Sequence, residues 1–307
     1  MDRFQSSMAL VLLGKRLLLL VLIIVSLASC TSLFFQPRAE EILTPARLGL
    51  AYEDVFFPSS DGTKLHGWFL PAQGTATGTV IFLHGNSENI STHIGNVFWL
   101  PASHFNVFMF DYRGYGQSEG RPQLEGVLDD IESAFRVVVN RHDLDPKRLV
   151  ILGQSLGGTL AIYAATHTNY RKYIKAVVVD SAFSSYRQIT QEKLGDFWLT
   201  RPFQWPLSLP ISDAYSPLKT IGALSPIPLL IIHSTQDQII PVHHALQLFQ
   251  AAEQPKQMWI LHEGKHIQTF NNPENRVRLA QYLTNLLPAQ SISTARRTEA
   301  MLLSSIN

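Results

Sequence analysis

Short runs of almost unbroken apolar residues recur along the chain: TVIFL at 79–83, NVFMF at 106–110, LVILG at 149–153, AVVV at 176–179 and PLLII at 228–232. Each is about the length of a strand and too short for a helix of ordinary size. A strand with one wet face alternates apolar and polar residues. These runs do not, so both of their faces must be covered. Between them lie segments of helical period. In LEGVLDDIESAFRVVVNRH the apolar residues Leu124, Val127, Leu128, Ile131 and Phe135 fall on one face. Strands buried on both sides, alternating with amphipathic helices, predict an α/β fold: a mostly parallel central sheet covered by helices on both faces.

The remaining elements fit that frame. A strand near 52–57 and the Asp61-Gly62 turn open an antiparallel hairpin. Helices are expected over 90–100, 155–167, 243–252 and 274–287, and a last strand over 257–264. One stretch breaks the rhythm. Residues 181–225 show no clear strand-helix unit but carry Phe183, Tyr186, Phe197, Trp198, Phe203, Trp205 and Tyr215 among prolines. A long aromatic insertion over such a sheet is expected to form a small lid. Phe183, Trp198 and Trp205 are the expected apolar walls of a substrate pocket beneath it.

The first 29 residues are expected to lie outside the fold. Arg3, Lys15 and Arg16 precede a run of Leu, Val and Ile over 17–27, as in a secretory signal. The run ends in Leu27-Ala28-Ser29-Cys30, which resembles the lipobox of bacterial lipoproteins. That resemblance implies a lipid-bearing Cys30 at the first mature position and a protein anchored in the bacterial cell envelope. By the same resemblance Thr31 at the next position favours the outer membrane, if the organism has one. The other reading is an uncleaved anchor. Residues 17–30 fall short of the roughly 20 that a spanning helix needs, and extension backwards would bury Lys15 and Arg16. Residues 30–48 then read as a tether, 49–288 as one domain and 289–307 as a polar tail. The formal charge is +1. Loss of Arg3, Lys15, Arg16 and Asp2 with the leader would make it −1. Neither value gives the basic footprint of a nucleic-acid binder. A single cysteine excludes an internal disulfide and a multi-cysteine zinc site.

The chemistry is concentrated in ILGQSLGG, residues 151–158. Gly153-x-Ser155-x-Gly157 sits where a strand ends and a helix begins. That is the context of a nucleophile elbow, whose turn is too tight for side chains beside the serine. A lone serine is a poor nucleophile and needs a base steadied by a third group. Asp237 follows a strand in IIHSTQDQIIP, and His266 follows the last strand in LHEGKHIQTF. Asp180 also ends a strand and could serve as the acid, and His262 lies four residues before His266.

Gly-Gln-Ser-Leu-Gly, His-x-x-x-Asp-x-x-Ile-Pro and Gly-x-His, in this order, resemble the α/β-hydrolase superfamily. The branch most similar holds monoacylglycerol lipases, acyl-protein depalmitoylases and serine aminopeptidases. HGN at 84–86 and DYRGYGQSEG at 111–120 fit it too. The resemblance covers residues 50–287. It implies Ser155 as nucleophile, Asp237 rather than Asp180 as acid, and His266 rather than His262 as base. It also implies an oxyanion hole from the N–H groups of Asn86 and Leu156. The loop residues Asp111, Arg113 and Gly114 would only hold loops together. One departure is Ser234, where the family usually has glycine after the strand histidine. The implied activity is hydrolysis of a carboxylic ester or thioester through an acyl-enzyme, on a small-molecule or acylated substrate, with no metal or organic cofactor. A serine peptidase of the aminopeptidase type and a non-catalytic binder on the same fold are the alternatives.

Overall fold

The central sheet has eight strands: β1 (Glu53–Pro58), β2 (Lys64–Leu70), β3 (Gly78–Leu83), β4 (Phe105–Phe110), β5 (Leu149–Gln154), β6 (Ile174–Asp180), β7 (Leu229–Ser234) and β8 (Lys256–Leu261). They come from a computed structural model that describes residues 34–287, together with Gly14 and Lys15. Cys30, the rest of the leader and the tail from 288 lie outside the described residues. The spatial order is β1-β2-β4-β3-β5-β6-β7-β8. The β1–β2 and β2–β4 pairs are antiparallel and every other pair is parallel.

The unbroken apolar runs split between two cores. Along β3, Val80 and Phe82 face one core while Ile81 and Leu83 face the other; β4 divides Val107 and Met109 from Phe108 and Phe110 in the same way. The first core takes Leu124, Val127, Ile131 and Phe135 of helix α1 (Leu124–Asn140). It also takes Leu156 and Leu160 of α2 (Leu156–His167) and Ala245 and Leu248 of α4 (His243–Ala251). The second core takes Leu279 and Leu283 of α5 (Pro273–Leu286). So each residue of β3, β4, β5 and β7 is buried whichever way it points, which is why no alternation is written into these strands. No helix among the described residues is long and apolar enough to cross a membrane.

Three regions differ from the sequence reading. The helix expected over 90–100 is instead Ile90–His93, running into short 3-10 turns at Ile94–Asn96 and Pro101–Ser103. The 181–225 stretch holds helix α3 (Tyr186–Asp196) followed by short helical pieces, Gln204–Ser208 and Pro217–Thr220 among them. The segment read as a tether does more than connect. Gln36–Pro37 pairs in parallel with Ser87–Glu88, Phe35 is buried, and Asn89 Nδ2 donates to the carbonyls of Arg38 and Glu40 at 3.0 and 2.7 Å. Residues 34–40 are therefore fastened to the body.

Candidate active site

The carboxyl ends of β3, β5, β6, β7 and β8 lie at one edge of the sheet, and Asn86, Ser155, Asp237 and His266 follow the ends of β3, β5, β7 and β8 there. Ser155 stands between β5 and α2 with φ 53° and ψ −121°, a backbone state that non-glycine residues rarely adopt. The flanking glycines are dictated by close approach. A Cβ on Gly153 would come 2.6 Å from the carbonyl carbon of Gly157, and one on Gly157 would come 2.5 Å from the carbonyl oxygen of His84. The Ser155 N–H donates to the Asp180 carbonyl at 2.9 Å, which ties the turn to the end of β6.

His266 lies in the loop after β8. Its Nε2 is 2.9 Å from Ser155 Oγ and its Nδ1 is 2.7 Å from Asp237 Oδ2. The protons can be assigned from the carboxylate. Burial pushes Asp237 up, but the hydrogen bond and charge of His266 and the N–H groups of Ile240 and Ile239 outweigh it, holding the carboxyl below its ordinary range. Asp237 is thus an anion and only accepts. His266 Nδ1 must donate to it, which leaves the Nε2 lone pair to accept from the Ser155 hydroxyl.

The departure at Ser234 has a structural role. Its Oγ donates to the Gly264 carbonyl at 2.6 Å and accepts from the Gln236 N–H at 3.0 Å, joining the loop of Asp237 to the loop of His266. Asp180 is fully buried and makes no hydrogen bond to His266; it accepts from Gln154 Nε2 and Thr269 Oγ1, both at 2.8 Å. Burial raises its pKa, and those two bonds do not reverse the shift. His262 is exposed just beyond β8, and its carbonyl accepts from Gln236.

Asn86 and Leu156 flank the serine. A Cβ on Gly85 would lie 3.6 Å from Ser155 Cβ, so the backbone entering Asn86 passes beside the Ser155 turn. The Asn86 carbonyl is held by the Gln36 N–H at 2.9 Å and the Tyr115 hydroxyl at 2.6 Å. Leu156 opens α2, whose first N–H groups have no helical acceptor. The loops beneath are built on charge. Arg113 binds Asp130 at 2.7 Å and Asp61 at 2.9 Å. Asp111 accepts from the Ile90 N–H at 2.9 Å, and burial pushes its carboxyl up to about 7.

A cavity of about 650 Å³ opens beside Ser155 and His266. Its walls are mainly apolar: Phe34, Leu156, Phe183, Ile189, Leu194, Ile239, Ile240 and Ile267. Of the expected aromatic walls, only Phe183 is one. Trp198 and Trp205 are absent from the lining and are 76% and 63% exposed. Counting aromatics in the sequence could not separate rings turned inward from rings turned outward. Sequence reasoning also missed Phe34, Gln36 and His93, which all line the cavity. The paired Phe34-Phe35 in an otherwise polar segment was the available signal for the first.

A family model described as Hydrolase_4, serine aminopeptidase S33, matches residues 74–208. The protein YfhR of Escherichia coli strain K12 is 40% identical over 242 residues, which is 77% of this chain and 81% of YfhR. The alpha/beta hydrolase domain-containing protein WAV2 of Arabidopsis thaliana is 34% identical over 244 residues, 74% of this chain and 76% of WAV2. Among solved structures, the Pyrococcus furiosus esterase Pf2001 superposes with a TM-score of 0.69 at 21% identity, over 82% of this chain and 98% of that one.

Proposed function

Because the chain belongs to the α/β-hydrolase superfamily, we propose that it is a serine hydrolase cleaving a carboxylic ester or thioester through an acyl-enzyme. The observation that carries this reading is the continuous line Asp237–His266–Ser155, at 2.7 and 2.9 Å, ending in an apolar cavity. In the proposed reaction His266 Nε2 takes the Ser155 proton as Oγ bonds to the carbonyl carbon. The N–H groups of Asn86 and Leu156 receive the oxyanion. The intermediate collapses, the C–O or C–S bond breaks, and the leaving group takes the proton from His266. Water then repeats the sequence on the acyl-enzyme and frees the acid.

The apolar walls suit an acyl chain, and we assign α3 and the pieces that follow it, within 181–225, the role of a lid over that chain. An aminopeptidase would need an acidic group for the substrate's α-ammonium, and no Asp or Glu is among the described residues lining the cavity. The test is direct. A fluorophosphonate probe should label the wild type and miss Ser155→Ala. A panel of p-nitrophenyl esters of rising chain length should be turned over where an aminoacyl-anilide is not. Equal labelling of both proteins, or turnover of the anilide alone, would reject the reading. We also propose that Cys30 carries lipid and holds the protein in the cell envelope, on the outer membrane where there is one. Cys30→Ser should abolish incorporation of a labelled acyl chain, and incorporation that persists would refute it.

A further inference from the structure

We infer that the turn after α3 is a membrane-docking surface that seats the cavity mouth on a lipid bilayer. In the thirteen residues 197–209 the only charged side chain is Arg201. Trp198, Trp205, Leu199, Phe203 and Phe197 are all more than half exposed there. The other three tryptophans, Trp68, Trp99 and Trp259, are buried. Exposed apolar side chains scattered singly need no explanation, but five within one short turn do.

The turn is built rather than frayed. Thr200 Oγ1 donates to the Leu194 carbonyl at 2.6 Å, the Arg201 N–H to the Phe197 carbonyl at 2.9 Å, and Ser208 Oγ to the Trp205 carbonyl at 2.9 Å. Gly195 packs so closely on the Gln204 amide that a side chain at 195 would collide with it. The backbone is tied down, and the rings stand out from it.

Two observations identify the occupant as lipid. The first is position. Lys193 and Leu194 line the cavity and the turn begins three residues later, so it follows directly on the cavity wall. The second is where the chain enters. Phe34 lines the same cavity, and Cys30 is four residues earlier. Four residues reach at most about 14 Å. From Phe34 back to Leu27, where the apolar 17–27 stretch ends, is seven residues, so either anchoring element, Cys30 or that stretch, is tethered within about 25 Å of this cavity. A membrane holding that element is therefore held against the exposed rings, at a high effective concentration. Tryptophan, with an apolar body and one N–H donor, is suited to the boundary between headgroups and acyl chains.

The experiment uses the full-length chain in phosphatidylcholine vesicles with and without bromine on the acyl chains, reading tryptophan emission. Brominated lipid should quench a large part of the wild-type emission. W198F/W205F should stay on the vesicles but lose most of that quenching, with unchanged circular dichroism. Equal quenching of wild type and double variant would overturn the inference, because the signal would then come from elsewhere. Absence of quenching would overturn it too. So would emission that shifts with protein concentration in detergent but ignores brominated lipid, since that result assigns the rings to a second copy of the chain. None of these readings depends on Ser155 chemistry, so failure here is distinct from failure of the proposed reaction.

Discussion

Asp180 and Asp237 occupy almost equivalent places and are driven in opposite directions. One closes β6, the other follows β7, the neighbouring strand, and the side chains of both are buried. Burial raises both. The difference lies in the donors. Asp237 receives the N–H groups of Ile239 and Ile240 at 2.9 Å each, and His266 at 2.7 Å, and is held below the ordinary carboxylate range. Asp180 receives a side-chain amide and a hydroxyl, both neutral, and is held above it. Gln154 Oε1 has no partner in the present orientation. With the amide turned over, a protonated Asp180 can donate to it, so the neutral carboxyl is also satisfied. Burial does not decide the direction of the shift at this edge of the sheet; the donors do.

The sharpest way to break that contrast is to remove each charge in turn. Asp237→Asn should lower kcat by about 10³-fold or more with the fold intact, because His266 loses the anion that fixes its tautomer. Asp180→Asn should cost about tenfold or less, since Asn can still accept one bond and Asp180 does not touch His266. Steady-state kinetics on one ester would check both. If Asp180→Asn were the crippling change, the acid assignment would pass from one strand end to the other.

The contrast also marks how far the sequence could be read. The strands were legible because burial on both faces leaves an apolar run that no loop imitates, and Ser155 because only a crowded turn needs Gly153 and Gly157 together. Asp237 and Asp180 could not be separated on residue type, since both follow apolar strands. What separates them, the N–H groups at 239 and 240 against Gln154 and Thr269, depends on backbone angles and on a partner 89 positions away. The same limit hid the cavity walls. Phe34 reaches the site through a ladder between Gln36–Pro37 and Ser87–Glu88, and two-residue pairings leave no periodicity to detect.

A smaller effect tests the protonation states themselves. A carboxyl whose folded pKa is raised binds its proton more tightly when folded. Asp180 therefore disfavours unfolding most at low pH, and that contribution is lost as pH rises from the unfolded value near 4 through the folded one. Asn has no proton to lose. The melting temperature of Asp180→Asn, relative to wild type, should rise as pH goes from about 4 to 8. Asp237 has the opposite sign. Its lowered pKa adds stability above the unfolded value, lost as pH falls through the folded one, so Asp237→Asn should be worst near neutrality and recover towards acid. Asp111, which burial pushes up to about 7, is common to all three proteins and cancels in the difference. For a domain of this size each kcal/mol moves the melting temperature by about 2–4 °C, so thermal melts from about pH 8 down to below the unfolded carboxyl value resolve the two slopes. Parallel slopes would mean that both carboxyls shift in the same direction, and the contrast drawn between their donors would fall with them.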